Sequence, residues 1–161
     1  LLPVLYLLFD ARNTPTKVGQ LHMCSFVLLV LSGEREFSVK LNKPFSSRPP
    51  MDIATFQGCY GDLLLLTVFK VLAETGTNST NDSLVDMLLT VLGNISPYVK
   101  SFCVEAVLKL SGMVDRFMKP AWIFRWQQRR PSEIGRVSFF KFRVSFFKIQ
   151  SVFFKKKGKI L

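Results

Sequence analysis

Histidine and cysteine, the usual ligands of structural zinc, are scarce in this 161-residue sequence. His22 is the only histidine, and neither a cysteine nor an aspartate stands three or four residues after it. Cys24, Cys59 and Cys103 are 35 and 44 residues apart, which fits no zinc or redox motif. We therefore expect a histidine in the core, buried free thiols and no metal site.

The motifs that position nucleophiles and phosphates in common enzymes are also absent. The sequence contains no GxSxG, no P-loop and no GxGxxG, so hydrolase, NTPase and dinucleotide-binding functions lack their characteristic parts. Asp82 and Asp86 lie one helical turn apart, but on a stripe expected to face water, where a general acid or base is not favoured. We predict no catalytic residue, no cofactor and no small-molecule substrate, and hence a non-enzymatic protein.

Acidic residues are nearly missing from the last quarter of the chain. The formal net charge is +11, but residues 1–120 carry 11 Lys/Arg against 10 Asp/Glu, whereas residues 121–161 carry 11 against one. The first part, called the body here, is almost neutral and lacks the broad positive surface that nucleic-acid binding requires. Only residues 121–161, called the tail, could hold an anionic partner.

No apolar run is long enough to form a membrane-spanning helix. The longest, Leu21 to Leu31, falls short of the roughly 20 residues that a bilayer requires. The chain begins at Leu1, inside an apolar run that resembles the last turns of a helix and lacks the basic leader of a signal peptide. We expect a soluble, cytoplasmic protein whose natural amino terminus lies upstream.

What the sequence does contain is a series of helical patterns separated by glycine, proline and polar turns. Most begin near a capping residue or a proline, and two are followed by glycine, as is common at helix ends. The predicted helices run from Pro15 to about Leu31, from Asp62 to the break at Gly76, from Asp82 to Asn94, from the Ser96–Pro97 pair to about Ser111, and from Met113 to Met118.

Polar positions on these helices form only narrow stripes. The helix from Pro15 has apolar side chains all around its axis, so we expect it to be buried on all sides. Antiparallel helical hairpins with such narrow stripes are typical of stacked helices that neighbours cover on two sides. We therefore predict an all-α fold: an irregular α-solenoid fragment over residues 1–120, with a long connection after Gly33 and no fixed-period repeat.

Three blocks of the body stand out by their residues. They are LLVLSGEREFSVKLNKPF (Leu28–Phe45), PMDIATFQGCYGDLLLLTVFKVL (Pro50–Leu72) and LLTVLGNISPYVKS (Leu88–Ser101). In this order they resemble the high-temperature-induced dauer formation protein family (Hid family), whose members are relatives of dymeclin. The resemblance covers about residues 1–118 and is lost after Met118.

That resemblance implies an α-helical cytosolic protein attached peripherally to Golgi or trans-Golgi membranes. The implied function is a non-enzymatic scaffold that supports the sorting of cargo into secretory and dense-core vesicles. Its implied partners are proteins of the trafficking machinery, with no nucleic acid among them. No catalytic or cofactor-binding residue is carried over to this sequence.

One polar cluster in the body is distinctive enough to be a candidate interaction surface. Glu34, Arg35, Asn42 and Lys43 stand beside predicted helix ends, where they could bind a partner protein or a lipid headgroup. Alternatively, Arg35 and Glu34 satisfy buried backbone groups or pair with one another, and so order a loop that packs across the helices. The sequence favours this second, structural role.

The tail contains the one fixed-period repeat of the chain. RVSFFKF, RVSFFKI and QSVFFKK follow one another over residues 136–156, and eight of the 16 phenylalanines lie in the tail. Such a low-complexity, basic and Phe-rich segment could bind an anionic membrane surface or stack on single-stranded nucleic acid, which is the alternative function for this chain. The abrupt change of composition also fits translated non-coding sequence, which we favour, and we expect a disordered or irregular tail outside the family fold.

Overall fold

The computed structural model describes residues 1–45, 57–75, 82–100 and 102–118, and the tail lies outside these ranges. The helices are α1 (Leu2–Ala11), α2 (Val18–Gly33), α3 (Arg35–Lys40), α4 (Tyr60–Thr75), α5 (Asp82–Ile95) and α6 (Val104–Met118). Among the described residues, strands are limited to an antiparallel pair, β1 (Pro44–Phe45) and β2 (Gly58–Cys59). The prediction of an α-helical body is therefore confirmed.

The helices α1 and α2 form an antiparallel hairpin. Lys17 Nζ lies 2.6 Å from the Asp10 carboxylate, and Gln20 Nε2 donates to the Leu7 carbonyl at 3.2 Å. Later residues thus pair with earlier ones in reverse order, which fixes the antiparallel direction. A 3₁₀ turn that begins at Pro15 leads into α2, since the proline ring sets φ for a helical start and its missing N–H would be unpaired there anyway.

The hydrophobic core is almost entirely aliphatic. Its largest fully buried side chains come from α1, α2, α4 and α5 and include Leu5, Leu8, Leu21, Leu28, Leu63, Leu64, Leu84, Leu88 and Leu92. The helix α2 packs against α1 and α5, whereas α4 lies against α1, α5 and α6. Every residue from Gly61 to Val68 is buried, which makes α4 the enclosed helix of the body.

The helix α2 is less enclosed than its sequence predicts. Met23, Phe26, Val27 and Val30 are exposed, and their spacings of three and four place them on one face, called the α2 stripe here. The expectation that this helix is buried on all sides is therefore wrong, because α1 and α5 cover its other faces only. In the described parts of the chain, no helix combines the length and apolar character needed to cross a bilayer.

The connection after α2 contains a helix that the sequence pattern does not reveal. Glu34 is extended, with φ −83° and ψ 119°, and breaks the helical path before α3 begins at Arg35. Because α3 has only six residues, it is too short to produce a sustained apolar periodicity. After it, β1 and β2 bring the chain back to the start of α4.

The last helix begins later than predicted and has no break. Ser96 was expected to cap it, but its hydroxyl donates to the Gly93 carbonyl at 2.9 Å and so completes the end of α5. The following residues form a turn, and α6 starts at Val104. It then continues through Gly112, because a single glycine costs a helix only about 1 kcal/mol relative to alanine and packing against α4 can offset this.

Two polar side chains expected to face water instead make contacts inside the body. Thr67 is 0% exposed, and its hydroxyl donates to the Leu63 carbonyl one turn earlier at 2.8 Å. Asn94 Nδ2 donates to Ser32 Oγ at 3.1 Å and links α5 to α2. The polar stripes of these helices are therefore partly covered, as expected for helices packed on more than one side.

We expect Leu88→Ala to lower the free energy of unfolding by about 2–5 kcal/mol, because Leu88 is 0% exposed and its truncation leaves a cavity between packed helices. Urea denaturation followed by circular dichroism measures the change. Met23→Ala is the matched control on a 65% exposed apolar position, where the change should stay within about 0.5 kcal/mol. Equal losses in both variants would contradict this description of the core.

Candidate interaction site at the amino terminus of α4

Four segments of the chain meet where α4 begins. This region, called the junction here, comprises residues 41–43, 59–62, 98–100 and 102–103. The Gly61 amide donates to the Leu41 carbonyl at 2.9 Å, and the Tyr60 amide donates to the Lys43 carbonyl at 3.1 Å. The first amides of a helix have no partner within it, so the segment after α3 satisfies the start of α4 and fixes its position.

Asp62 is a buried carboxylate shared by two helix starts. It is 1% exposed, and its two oxygens accept the Cys59 amide at 2.7 Å and the Cys103 amide at 2.8 Å. Cys59 precedes α4 and Cys103 precedes α6, so one negative charge lies at the positive ends of two helix dipoles. The sequence analysis missed this role, although Cys59-x-x-Asp62 has the spacing of a capping box.

The junction also sets the state of two thiols. Burial raises the pKa of Cys59 and of Cys103, and the negative charge of Asp62 acts in the same direction. Burial also raises the pKa of Cys24. All three are free thiols, as predicted, although Cys103 is only half-buried. A thiol that keeps its proton is a poor nucleophile and a poor metal ligand, which favours a structural role.

Cys103 has such a role at the start of α6. The Ala106 amide lies 3.4 Å from Cys103 Sγ and donates to it. This places the thiol in the position of an N-cap acceptor, which serine or aspartate more often occupies. Asp62 in turn accepts the amide of Cys103. Both the thiol and the amide of Cys103 therefore make hydrogen bonds at the beginning of α6.

Asn42 is the predicted surface residue that the structure places within the junction network. Its Nδ2 donates to the Tyr98 carbonyl at 2.9 Å, and its Oδ1 accepts the Lys100 amide at 2.8 Å. Nδ2 also donates to the Val39 carbonyl at 3.0 Å. The amide therefore holds the turn after α5 against the end of α3.

Glu34 and Arg35 lie apart from that network, whereas Lys43 takes part in it through its carbonyl and has an exposed side chain. Glu34 and Arg35 are exposed at the amino-terminal end of α3, whereas Asn42 and Lys43 follow its carboxyl-terminal end. The helix between them is about 8 Å long at 1.5 Å per residue. The four residues thus form two pairs rather than one cluster, and a role in binding stays a prediction for each pair.

A second polar contact, missed by the sequence analysis, joins α1 to α4. Arg12 Nε lies 2.9 Å from Glu74 Oε2, at an angle too poor for a hydrogen bond, and Nη1 donates to the Phe9 carbonyl at 2.7 Å. The guanidinium also lies 3.6 Å from the centroid of the Phe9 ring. Arg12 therefore satisfies the end of α1 while its charge pairs across to α4.

The described ranges contain no group of three His, Cys, Asp or Glu side chains placed to hold a metal ion. His22 lies on α2 and is half-buried, which is a less enclosed position than the core site predicted for it. The side chains of Asn42 and Asp62 bond to backbone groups of neighbouring segments and so hold the helices together.

Comparison with known proteins gives a consistent result. The sequence model of the family described as Dymeclin, Dyggve-Melchior-Clausen syndrome protein, matches residues 1–139. Protein HID1 of Mus musculus is 42% identical over 128 residues, which are 80% of this chain and 16% of the mouse protein. Protein HID1 of Homo sapiens is 42% identical over 124 residues, covering 77% and 16% of the two chains. Protein HID1 of Dictyostelium discoideum is 34% identical over 124 residues, covering 77% and 13%.

The matches cover only part of each relative. The chain spans about one sixth of the length of the mouse and human relatives. The family match continues to residue 139, so the expectation that the resemblance ends at Met118 is corrected, and the structural boundary near residue 120 stays a prediction. No solved structure matches the chain.

We expect Asp62→Ala to lower the free energy of unfolding by about 2–6 kcal/mol, because two buried N–H groups each cost about 1–3 kcal/mol when unpaired. Urea denaturation gives the value. Asp62→Asn keeps the volume but only one acceptor oxygen, so it should recover part of the loss. Glu36→Ala, on a carboxylate whose side chain is 87% exposed, is the control. If Asp62→Ala were as stable as Glu36→Ala, Asp62 would not be what holds the two helix starts.

We also expect the free energy of unfolding to fall as the pH rises above 9.0, the ordinary thiol value, because burial raises the pKa of Cys59 in the folded chain. The unfolded thiol then releases its proton first, which favours unfolding at alkaline pH. Urea denaturation on both sides of that pH should show a shallower loss for Cys59→Ala than for the unchanged chain. Parallel curves would rule out this contribution.

Proposed function

The chain belongs to the dymeclin family, and on that premise we propose that it is part of a non-enzymatic helical scaffold of vesicle trafficking at Golgi and trans-Golgi membranes. In this proposal the scaffold acts on the cytoplasmic side and supports the sorting of cargo into secretory and dense-core vesicles. The observation that carries the proposal is the 42% identity to Protein HID1 of mouse over 80% of this chain. The resemblance of the three sequence blocks to the Hid family supplies the Golgi association.

The geometry of the junction supports a structural rather than a chemical role. Asp62 is 1% exposed and both of its oxygens accept backbone amides, so a substrate could reach this carboxylate only if the surrounding helices moved apart. The Asn42 side chain is likewise bonded at both ends to the backbone of the turn after α5. These are the arrangements that a scaffold needs, because they fix the relative positions of its helices.

Binding surfaces of such a scaffold would lie on its exposed faces. The α2 stripe presents Met23, Phe26, Val27 and Val30 to the outside, and a contiguous exposed apolar face of this kind favours contact with another protein surface. The polar pairs Glu34 with Arg35 and Asn42 with Lys43 lie at the two ends of α3. Proteins of the trafficking machinery are the proposed partners, in keeping with the near-neutral body.

A chimera tests this proposal. We expect mouse Protein HID1 carrying residues 1–118 of this chain in place of its matching segment to restore cargo sorting in cells that lack the mouse protein. The reason is that the buried leucines and the junction should give residues 1–118 the same packed helices as the segment they replace. Co-localisation with a Golgi marker and the cargo content of dense-core vesicles are the measurements.

Two further chimeras separate the proposal from its alternatives. One carries Asp62→Ala and should fail, because the junction no longer holds α4 and α6. The other carries all 161 residues and tests the tail, whose 11 Lys/Arg against one Asp/Glu suit an anionic surface. If only the second chimera restores sorting, the function resides in the tail; if a folded 1–118 chimera and the second chimera both fail, the scaffold proposal is wrong.

A further inference from the structure

Two of the three cysteines lie together in the junction. Cys59 ends β2 just before α4, and Cys103 stands just before α6. The amide of Cys59 donates to Asp62 Oδ2 at 2.7 Å, and the amide of Cys103 donates to Asp62 Oδ1 at 2.8 Å. The two amide nitrogens are therefore separated by no more than these two bonds and the width of one carboxylate.

The two sulfur atoms are next to that carboxylate as well. Burial raises the pKa of both thiols, and the side chain of Asp62 adds to this effect by its charge and by hydrogen bonding with each thiol. Hydrogen bonds act only over short distances, so both sulfurs lie beside Asp62. Cys103 Sγ also lies 3.4 Å from the Ala106 nitrogen. Cys59 Sγ lies 3.4 Å from the position that a Cβ would take on Gly61.

This placement suits a disulfide better than a metal ion. The Cα atoms of bridged cysteines are about 4.4–6.8 Å apart, a spacing within reach of two residues bonded to the same carboxylate. Neither Cys59 nor Cys103 is inside a helix, so small backbone changes before α4 and α6 can join the sulfurs without unwinding either helix. Among the described residues, no three His, Cys, Asp or Glu side chains have the geometry of a metal site.

We propose that Cys59 and Cys103 form a redox-sensitive pair, which hydrogen peroxide oxidises to a disulfide across the junction. Cys103 reacts first, because it is half-buried whereas Cys59 is buried. Its thiolate, formed by loss of the proton to water, attacks one peroxide oxygen and breaks the O–O bond. Cys103 becomes a sulfenic acid, and the other oxygen leaves as hydroxide and takes up a proton.

The second step closes the bridge. The thiolate of Cys59 attacks the sulfur of Cys103, the S–O bond breaks, and hydroxide leaves and is protonated to water. The two thiols lose two electrons and two protons in total, and the peroxide is reduced to two molecules of water. Because a thiol that keeps its proton reacts slowly, the pair stays reduced until oxidation is sustained. The disulfide then adds a covalent link to the one that Asp62 provides between the two helix starts.

Peptide mapping of the full 161-residue chain tests the proposal. The folded chain is treated with hydrogen peroxide, the remaining thiols are alkylated, and the digest is analysed by mass spectrometry without reductant. We expect Cys59 and Cys103 in one linked peptide pair, which dithiothreitol separates, and an alkylated Cys24. Alkylation of all three cysteines would overturn the proposal, and so would a sulfinic acid at Cys103 beside an alkylated Cys59.

The same treatment in concentrated urea separates the effect of the fold from that of chain proximity. Cys24 and Cys59 are 35 residues apart, whereas Cys59 and Cys103 are 44 apart. The unfolded chain therefore closes the shorter loop at least as readily. We expect both links in urea but only the link from Cys59 to Cys103 in the folded chain. An identical pattern in the two conditions would contradict a pair positioned by the junction.

Two serine variants are matched controls, each compared with its own untreated sample. Cys103→Ser removes the pair, and serine is a common N-cap residue, so α6 should keep its start. Peroxide should raise the urea midpoint of the unchanged chain and of Cys24→Ser, because a disulfide across 44 residues constrains the unfolded chain. It should leave the midpoint of Cys103→Ser unchanged. An equal rise in all three chains would overturn the proposal, as would a link that joins two chains and disappears on dilution.

Discussion

The bonds from Asp62 to two backbone amides are the constraint on which the arrangement of the described helices depends. Asp62 is the one charged side chain buried among the described residues, at 1% exposure. A buried charge is stable only when its desolvation is offset by strong hydrogen bonds, and here the Cys59 and Cys103 amides provide them. Since these amides are 44 residues apart in the chain, the same bonds that satisfy the carboxylate also fix where α6 begins relative to α4.

The junction explains which parts of the fold could be predicted from the sequence. The helices α4 and α5 follow from apolar periodicity, because each is long enough for a buried face to repeat over several turns, and α2 follows from a long apolar run between Pro15 and Gly33. The start of α6 could not be predicted in this way. Ser96 and Pro97 have the residue types of a helix start, but the Ser96 hydroxyl bonds to the end of α5. The thiol of Cys103 caps α6 instead, and the amide of Cys103 is held by Asp62, which is far away in sequence.

The candidate surface shows the same limit. Asn42 was singled out by its place beside a helix end, but its partners, the Tyr98 carbonyl and the Lys100 amide, depend on how α5 returns to α3 and could not be predicted from the sequence. Hydropathy also could not tell which helix is enclosed. Both α2 and α4 are strongly apolar, but the neighbours of α4 enclose its polar Thr67, whereas those of α2 leave one face open, where the apolar Phe26 is exposed.

These observations divide the molecule into two kinds of residue. Buried polar side chains such as those of Asp62 and Thr67 are bonded to the backbone and fix the shape of the body. They are therefore not available to bind other molecules. Exposed apolar groups remain, and the most exposed of the large ones lie on α2 and α6. Those on α2 form the α2 stripe, on a helix flanked by α1 and α5. Under the proposed scaffold function, partners would be recognised through faces that the packing leaves open, and the α2 stripe is the apolar face that meets this condition.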